Sequence, residues 1–145
     1  MASSELVPRQ YQEEIFVQAQ QGNVIAALGT GSGKTYISTL LIKWIATQDI
    51  SRGRVVVFLV PKVPLVEQQG VFIAKHTTLR VAKLHGESAR ELTDRKGWEK
   101  TFAKNDVLVM TGMFYIPVRC KFLYNDAYLS TDIFEPYHAL PMVHR

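Results

Sequence analysis

The stretch Leu28-Gly29-Thr30-Gly31-Ser32-Gly33-Lys34-Thr35 decides the fold of this chain. Its glycines allow successive backbone N–H groups to converge on an anion, because no Cβ atoms obstruct the approach. Lys34 adds a mobile positive charge, and the hydroxyl of Thr35 can ligate Mg2+. The stretch therefore predicts a P-loop that binds the phosphates of ATP or GTP through residues Gly29, Thr30, Gly31, Ser32, Gly33, Lys34 and Thr35. The alternative interpretation is a glycine turn followed by a chance Lys-Thr pair.

The residues on either side of this loop support the phosphate-binding interpretation. The short apolar run Val24–Leu28 predicts a buried parallel strand before the loop. After it, an amphipathic helix beginning near Gly33 is predicted by apolar residues at helical spacing, namely Ile37, Leu40, Leu41, Trp44 and Ile45. The N–H groups and the positive dipole end of that helix would face the phosphates. The strict pattern G-x-x-x-x-G-K-[ST] is not met, since Leu28 occupies its first position.

The remaining chain alternates helical and strand patterns. Helices are predicted from Pro8 to Gly22, from Pro64 through Ile73 and over residues 94–102. The aromatic residues Trp44, Trp98 and Phe102 are predicted to be core residues rather than base-stacking platforms. Strands are predicted over residues 54–60, 79–84 and 106–111, the first central in the sheet and the second less central. Strands separated by helices imply right-handed crossovers. The fold class is therefore α/β, with a mostly parallel sheet flanked by helices.

Composition limits the class of protein further. The chain has 145 residues, of which 47% are hydrophobic and 21% charged, which is typical of one folded domain. A net charge of +4 suits a polyanionic partner but is also common in proteins without one. The single cysteine, Cys120, offers no internal disulfide, and neither a signal peptide nor an apolar run of about 18 residues is present. We therefore expect an intracellular protein, cytoplasmic or nuclear, with no membrane association.

Four stretches in order resemble the first RecA-like domain of a superfamily-two helicase of the Dicer kind. They are residues 8–13 (Pro-Arg-Gln-Tyr-Gln-Glu), the P-loop with its helix, residues 58–69 and residues 107–111. The resemblance covers residues 8–111 and implies a RecA-like helicase ATP-binding domain. It also implies that ATP and Mg2+ are the cofactors, that double-stranded RNA is the nucleic-acid partner, and that the activity is an ATP hydrolysis used in RNA processing and silencing. Lys34 and Thr35 would then be the catalytic residues, with Thr35 as the Mg2+ ligand.

The resemblance assigns roles to residues outside the P-loop. It implies that Tyr11 and Gln12 contact adenine, where an amide can satisfy both a donor and an acceptor. The alternative is a core tyrosine beside a solvent-facing glutamine. It also implies that Pro61, Lys62, Thr111 and Gly112 touch an RNA backbone, and that the His85-Gly86 segment lies on the same side. Without the resemblance, Lys62 is a solvated loop charge and Thr111 a strand end.

One part of the helicase pattern is missing. Such helicases hold Mg2+ and orient the attacking water with an Asp-Glu-x-His sequence at a strand end, and this chain has none. Residues 131–139 stand in its place, where Asp132, Glu135 and His138 are poor candidates for catalysis. In the family the missing strand packs beside the P-loop strand. We therefore interpret residues 1–130 as a partial RecA-like domain, incomplete at its C-terminus, and residues 131–145 as a degenerate tail. Hydrolysis is expected to be weak or absent.

Two other functions stay open on the sequence. A non-catalytic protein that binds nucleotide or RNA would keep the phosphate-binding loop without hydrolysis. A small P-loop kinase is compatible with the length, although the lid arginines that such enzymes need are not evident and residues 61–69 would go unexplained. The sequence alone does not decide whether the chain is an enzyme.

Overall fold

A computed structural model of the chain describes residues 6–49, 55–90, 92 and 94–112. Its elements in chain order are α1 (Gln10–Gln21), α2 (Lys34–Asp49), β1 (Val56–Val60), α3 (Val63–His76), β2 (Val81–Leu84), a short 3-10 helix (Gly86–Ala89), α4 (Arg95–Lys104) and β3 (Val107–Thr111). The predicted degenerate tail, with Asp132, Glu135 and His138, lies outside the described residues, as does Cys120.

The three described strands form one parallel sheet in the order β1-β3-β2. Val60 of β1 pairs with Thr111 of β3, and Leu84 of β2 pairs with Met110. The parallel α/β arrangement predicted from the alternating pattern is therefore confirmed. The prediction that residues 54–60 form a central strand is wrong among the three described strands, where β3 is central and β1 pairs with β3 alone.

The predicted P-loop strand is also not formed. Residues 24–28 have no regular secondary structure, and Ile25 is 85% exposed. An apolar run becomes a strand only when a neighbouring strand completes its backbone hydrogen bonds. None of the three described strands pairs with this segment, so its hydrophobicity alone does not make it a strand.

Helices cover both faces of the sheet. On one face, Ile42 of α2 and Val66 and Ile73 of α3 pack against alternate residues of β1 and β3. On the other face, Trp98 of α4, 2% exposed, packs with Leu84 and Leu108. The prediction of Trp98 as a core residue is confirmed. Burial of this apolar surface on both faces of a parallel sheet is the main stabilising contribution in such a fold.

A charged pair, Arg80 and Asp106, joins β2 and β3 at the ends where these two strands begin. The carboxylate of Asp106, just before β3, accepts hydrogen bonds from the backbone N–H of Arg80 at 2.8 Å and from its guanidinium Nε at 3.0 Å and Nη2 at 2.7 Å. The Asp106 side chain is 11% exposed. These bonds from Arg80 lower the pKa of Asp106 below its usual value. The pair therefore fixes the starts of β2 and β3 side by side.

The helices within the described ranges are all too short or too polar to cross a lipid bilayer.

Candidate functional site

The P-loop residues form a tight turn that leads directly into α2. Gly31 and Gly33 have φ values of 79° and 80°, in the left-handed region where glycine is favoured. Ser32 closes the turn, since its backbone N–H donates to the carbonyl of Gly29 at 3.3 Å and its hydroxyl donates to the same oxygen at 2.6 Å. A Cβ placed on Gly31 would meet no atom within 4 Å. The loop is therefore a tight backbone turn with open space beside Gly31.

The start of α2 is unusual for a helix that serves only to support the fold. Its first turn has no acidic residue, and Lys34 stands at the first helical position. A cation at the positive end of a helix dipole is unfavourable unless an anion is bound there. Within the described part of the chain, the backbone N–H groups of Gly31, Gly33, Lys34 and Thr35 have no protein acceptor. The loop and helix start thus present several donors and a cation to one region.

Side chains inside α2 hold this first turn in shape. The hydroxyl of Ser38 donates to the carbonyl of Lys34 at 3.1 Å, and that of Thr39 donates to the carbonyl of Thr35 at 2.8 Å. Ser38 and Thr39 are buried, so these bonds satisfy their hydroxyls. The Lys34 ammonium donates to the carbonyl of Leu28 at 3.1 Å, across the mouth of the loop. An anion entering the loop would offer that ammonium a charged acceptor in place of a neutral one.

Tyr11 and Gln12 lie against the P-loop. The Tyr11 hydroxyl and the Gln12 carboxamide nitrogen both donate to the carbonyl of Ser32, the latter at 3.0 Å. The oxygen of the same carboxamide accepts from the backbone N–H of Arg9 at 2.8 Å. Gln12 is 5% exposed, so its interpretation as a solvent-facing glutamine is wrong. The contact with adenine stays a prediction, and the structure adds a direct link from these residues to the loop.

The four residues predicted to touch RNA lie together at the carboxyl ends of β1 and β3. Pro61 and Lys62 follow β1, and Lys62 is the exposed residue immediately before α3. Thr111 ends β3 opposite Val60, and Gly112 follows. Because Leu84 pairs with Met110, His85 at the end of β2 lies level with Thr111. We refer to Pro61, Lys62, His85, Thr111 and Gly112 as the carboxyl edge. Their RNA contacts stay a prediction.

Sequence reasoning missed a charged cluster beside this edge. Glu67 of α3 accepts hydrogen bonds from the Lys83 ammonium at 2.6 Å and from His85 Nε2 at 2.7 Å. The bond from Lys83 and then that from His85 lower the pKa of Glu67. Glu67 is separated from its partners by 16 and 18 residues. No local pattern in the sequence therefore indicates the cluster.

The chain is similar in sequence to known proteins. Residues 9–119 match the DEAD/DEAH box helicase family. Dicer-like protein 1 of Neurospora crassa is 41% identical over 110 residues, which cover 72% of this chain and 7% of that protein. Endoribonuclease Dicer homolog 1 of Arabidopsis thaliana is 41% identical over 112 residues, covering 76% of this chain and 6% of that protein. Endoribonuclease dcr-1 of Caenorhabditis elegans is 38% identical over 148 aligned positions, covering 94% and 8% respectively. The chain thus spans less than a tenth of the length of these relatives.

A solved structure shows the same fold with little sequence similarity. It is a nuclease-deletion mutant of the Type ISP restriction-modification enzyme LlaGI in complex with a DNA substrate mimic. It matches with a TM-score of 0.53 and 17% identity, over 73% of this chain and 12% of that one. The described fold is therefore RecA-like, as the resemblance implied. Because the family match covers residues 9–119, this protein belongs to the DEAD/DEAH box helicase family, and the curated proteins that it resembles are Dicer-like.

Proposed function

We propose that this chain is the ATP-binding module of a Dicer-like helicase that acts on double-stranded RNA, inside the cell in the cytoplasm or nucleus. One observation carries the proposal. The described P-loop presents N–H groups without acceptors among the described residues at the positive end of α2, where Lys34 supplies a cation and the first helical turn has no acidic residue. An anion with several phosphate oxygens is the ligand that satisfies all of these groups at once.

The residues present fit Mg2+ and ATP as cofactors. The backbone donors of Gly31, Gly33 and Thr35 suit phosphate oxygens. The Thr35 hydroxyl has no hydrogen-bond partner among the described residues, so it is available as a hard oxygen ligand for Mg2+. When bound, Mg2+ would neutralise charge on the phosphates. Lys34 and Thr35 would hold and orient the phosphate groups.

Tyr11 and Gln12 support adenine selection in this proposal. The Gln12 carboxamide keeps one N–H and one oxygen lone pair beyond the bonds to Ser32 and Arg9. Those remaining groups match a donor and an acceptor on the adenine edge. Because the same side chain holds the P-loop, base recognition and loop geometry would depend on each other.

The carboxyl edge supports the RNA part of the proposal. Lys62 provides a cation with no ion-pair partner in the described part of the chain, and Thr111 a hydroxyl at the end of the neighbouring strand. Phosphates and 2′-hydroxyls are recognised by such groups. We propose that this chain hydrolyses ATP slowly or not at all, because its sequence contains no Asp-Glu-x-His to hold the metal and orient water.

Binding of fluorescent ATP to the purified chain, with and without Mg2+, tests the proposal. We expect Mg2+-dependent binding that Lys34→Ala reduces by tenfold or more, roughly 1.4 kcal/mol or above. Lys43→Ala is the matched control, because Lys43 is an exposed lysine on the same helix. Equal affinities of the folded wild type and Lys34→Ala would contradict ATP binding at this loop. Release of labelled phosphate, measured alongside, separates binding from hydrolysis.

A further inference from the structure

The cluster beside the carboxyl edge joins the side chains of Lys83 and His85 to one carboxylate, that of Glu67. Both oxygens of Glu67 are used, since Oε2 accepts from Lys83 and Oε1 from His85. The three side chains are 50%, 35% and 30% exposed, respectively. A solvent-facing carboxylate therefore occupies two donors at the point where a nucleic-acid backbone would approach.

The path of the Lys83 side chain depends on a glycine in α3. A Cβ placed on Gly70 would lie 2.6 Å from Lys83 Cδ and would overlap Cγ, so the aliphatic stem crosses the helix where only glycine leaves room. Glycine inside a helix is unfavourable relative to alanine. An exposed ion pair usually contributes little to stability. The helix thus keeps an unfavourable residue whose presence allows Lys83 to reach Glu67.

The loop that carries His85 is also fixed. The Ser88 hydroxyl accepts from the backbone N–H of His85 at 3.0 Å and lies 2.7 Å from its carbonyl and 3.1 Å from that of Lys83. The main chain at the end of β2 is therefore ordered before any ligand arrives. Lys83 and His85 stand close together, and the group between them is a carboxylate.

A carboxylate and a phosphate compete for the same donors, and a backbone phosphate offers them the same charge-assisted bonds. We propose that Glu67 occupies Lys83 and His85 as an internal competitor, which the phosphates of a nucleic-acid backbone must displace in order to bind the carboxyl edge. Glu67 then lowers affinity for nucleic acid and reduces the number of phosphates neutralised. This inference rests on the proposed binding of RNA at the same edge.

The test compares three variants of the 145-residue chain in binding to a fluorescein-labelled double-stranded RNA over a range of salt concentrations. Glu67→Gln keeps the shape of the side chain and removes its charge. Glu99→Gln is the matched control, because Glu99 also forms an exposed ion pair, with Arg95 at 2.8 Å, but on α4. We expect Glu67→Gln to bind RNA about threefold to tenfold more tightly, with a salt slope steeper by up to about one unit for each additional phosphate neutralised. Glu99→Gln should bind as the wild type does.

A double-mutant cycle of Glu67→Gln and Lys83→Gln, with each single variant measured, tests whether the released Lys83 ammonium accounts for the gain. Adding Lys83→Gln to Glu67→Gln should remove a large part of the gain, while the affinity for ATP should be the same in all variants. Equal RNA affinity of Glu67→Gln and wild type, or weaker binding by Glu67→Gln, would overturn the role of Glu67 and leave RNA binding intact. A gain shared by Glu99→Gln would show an effect of net charge and would also overturn it. Failure of every folded variant to bind RNA would refute RNA binding itself, and this inference with it.

Discussion

The carboxamide nitrogen of Gln12 occupies the space that a Cβ atom on Gly33 would fill. From there it donates to the carbonyl of Ser32 at 3.0 Å. Two separate constraints therefore favour glycine at position 33. Its φ of 80° is in the left-handed region, and the buried side chain of Gln12 lies against its α-carbon. Gly31 has a φ of 79° but open space around it.

Gly31→Ala and Gly33→Ala therefore form a matched pair, because only the second would displace Gln12. Gly31→Ala should lower the free energy of unfolding by about 1–2 kcal/mol, the penalty for a left-handed residue with a Cβ. Gly33→Ala should lower it by about 1–3 kcal/mol more, because it also displaces Gln12 and breaks buried hydrogen bonds. Urea unfolding measures both. Equal losses of unfolding free energy in the two variants would show that the Gln12 contact contributes nothing. If the contact does contribute, combining Gln12→Ala with Gly33→Ala should recover part of the difference between the two losses.

We expect the Thr35 hydroxyl to contribute to ATP binding by ligating Mg2+, and not only by contacting phosphate. We expect Thr35→Ala to weaken binding of ATP in the presence of Mg2+ by about tenfold, roughly 1.4 kcal/mol. Binding in excess chelator should change little, since the backbone N–H of Thr35 remains. Thr35→Ser, which keeps the hydroxyl, should bind as the wild type does. If Thr35→Ala weakens binding equally with and without Mg2+, the residue supports the loop and does not ligate the metal.

Much of the fold could be predicted because it depends on local patterns. The Asp94 side chain accepts from the backbone N–H of Gly97 at 2.8 Å and begins α4 where the sequence indicated. Pro64, next to the start of α3, and the β-branched residues of β1 likewise act through their own backbone geometry. These preferences are intrinsic to each segment, so reading the segment alone was sufficient.

The rest depends on partners distant in sequence. Residues 24–28 have the hydrophobicity of a strand, but strand formation requires a neighbour that their own sequence does not specify. The P-loop motif predicts its own turn but not the bonds to Ser32 from Tyr11 and Gln12, 21 and 20 residues away. The Glu67 cluster could not be predicted for the same reason, since Glu67 and Lys83 are 16 residues apart.

The pair formed by Arg80 and Asp106 predicts a loss of stability in acid. Arg80 lowers the pKa of Asp106 below that of the unfolded chain, so the carboxylate stabilises the fold at any pH above the unfolded value. As the pH falls from about 4 through the lower folded pKa, protons bind first to the unfolded state and this contribution is lost. Urea unfolding of the wild type between pH 7 and pH 3 should show a decreasing free energy of unfolding.

Asp106→Asn isolates that contribution, since an amide keeps the size of the side chain without its charge. We expect the variant to be about 1.5–3 kcal/mol less stable than the wild type at pH 7, because hydrogen bonds to a buried charged group are lost. The difference between the two proteins should shrink as the pH falls below about 4. A difference that stays constant down to pH 3 would mean that shape, and not ionisation of Asp106, determines the effect.

The effect of Gly70→Ala on the free energy of unfolding should depend on whether Lys83 is present. Alanine normally stabilises the interior of a helix by about 0.5–1 kcal/mol relative to glycine. Gly70→Ala should instead fail to stabilise, because the new Cβ would displace the Lys83 stem, 2.6 Å away at Cδ, and separate its ammonium from Glu67. In a Lys83→Ala background the obstruction is gone, so Gly70→Ala should raise the free energy of unfolding by about the normal 0.5–1 kcal/mol. Urea unfolding of the four proteins completes the cycle. Stabilisation by Gly70→Ala in both backgrounds would show that Lys83 does not need the glycine to cross α3.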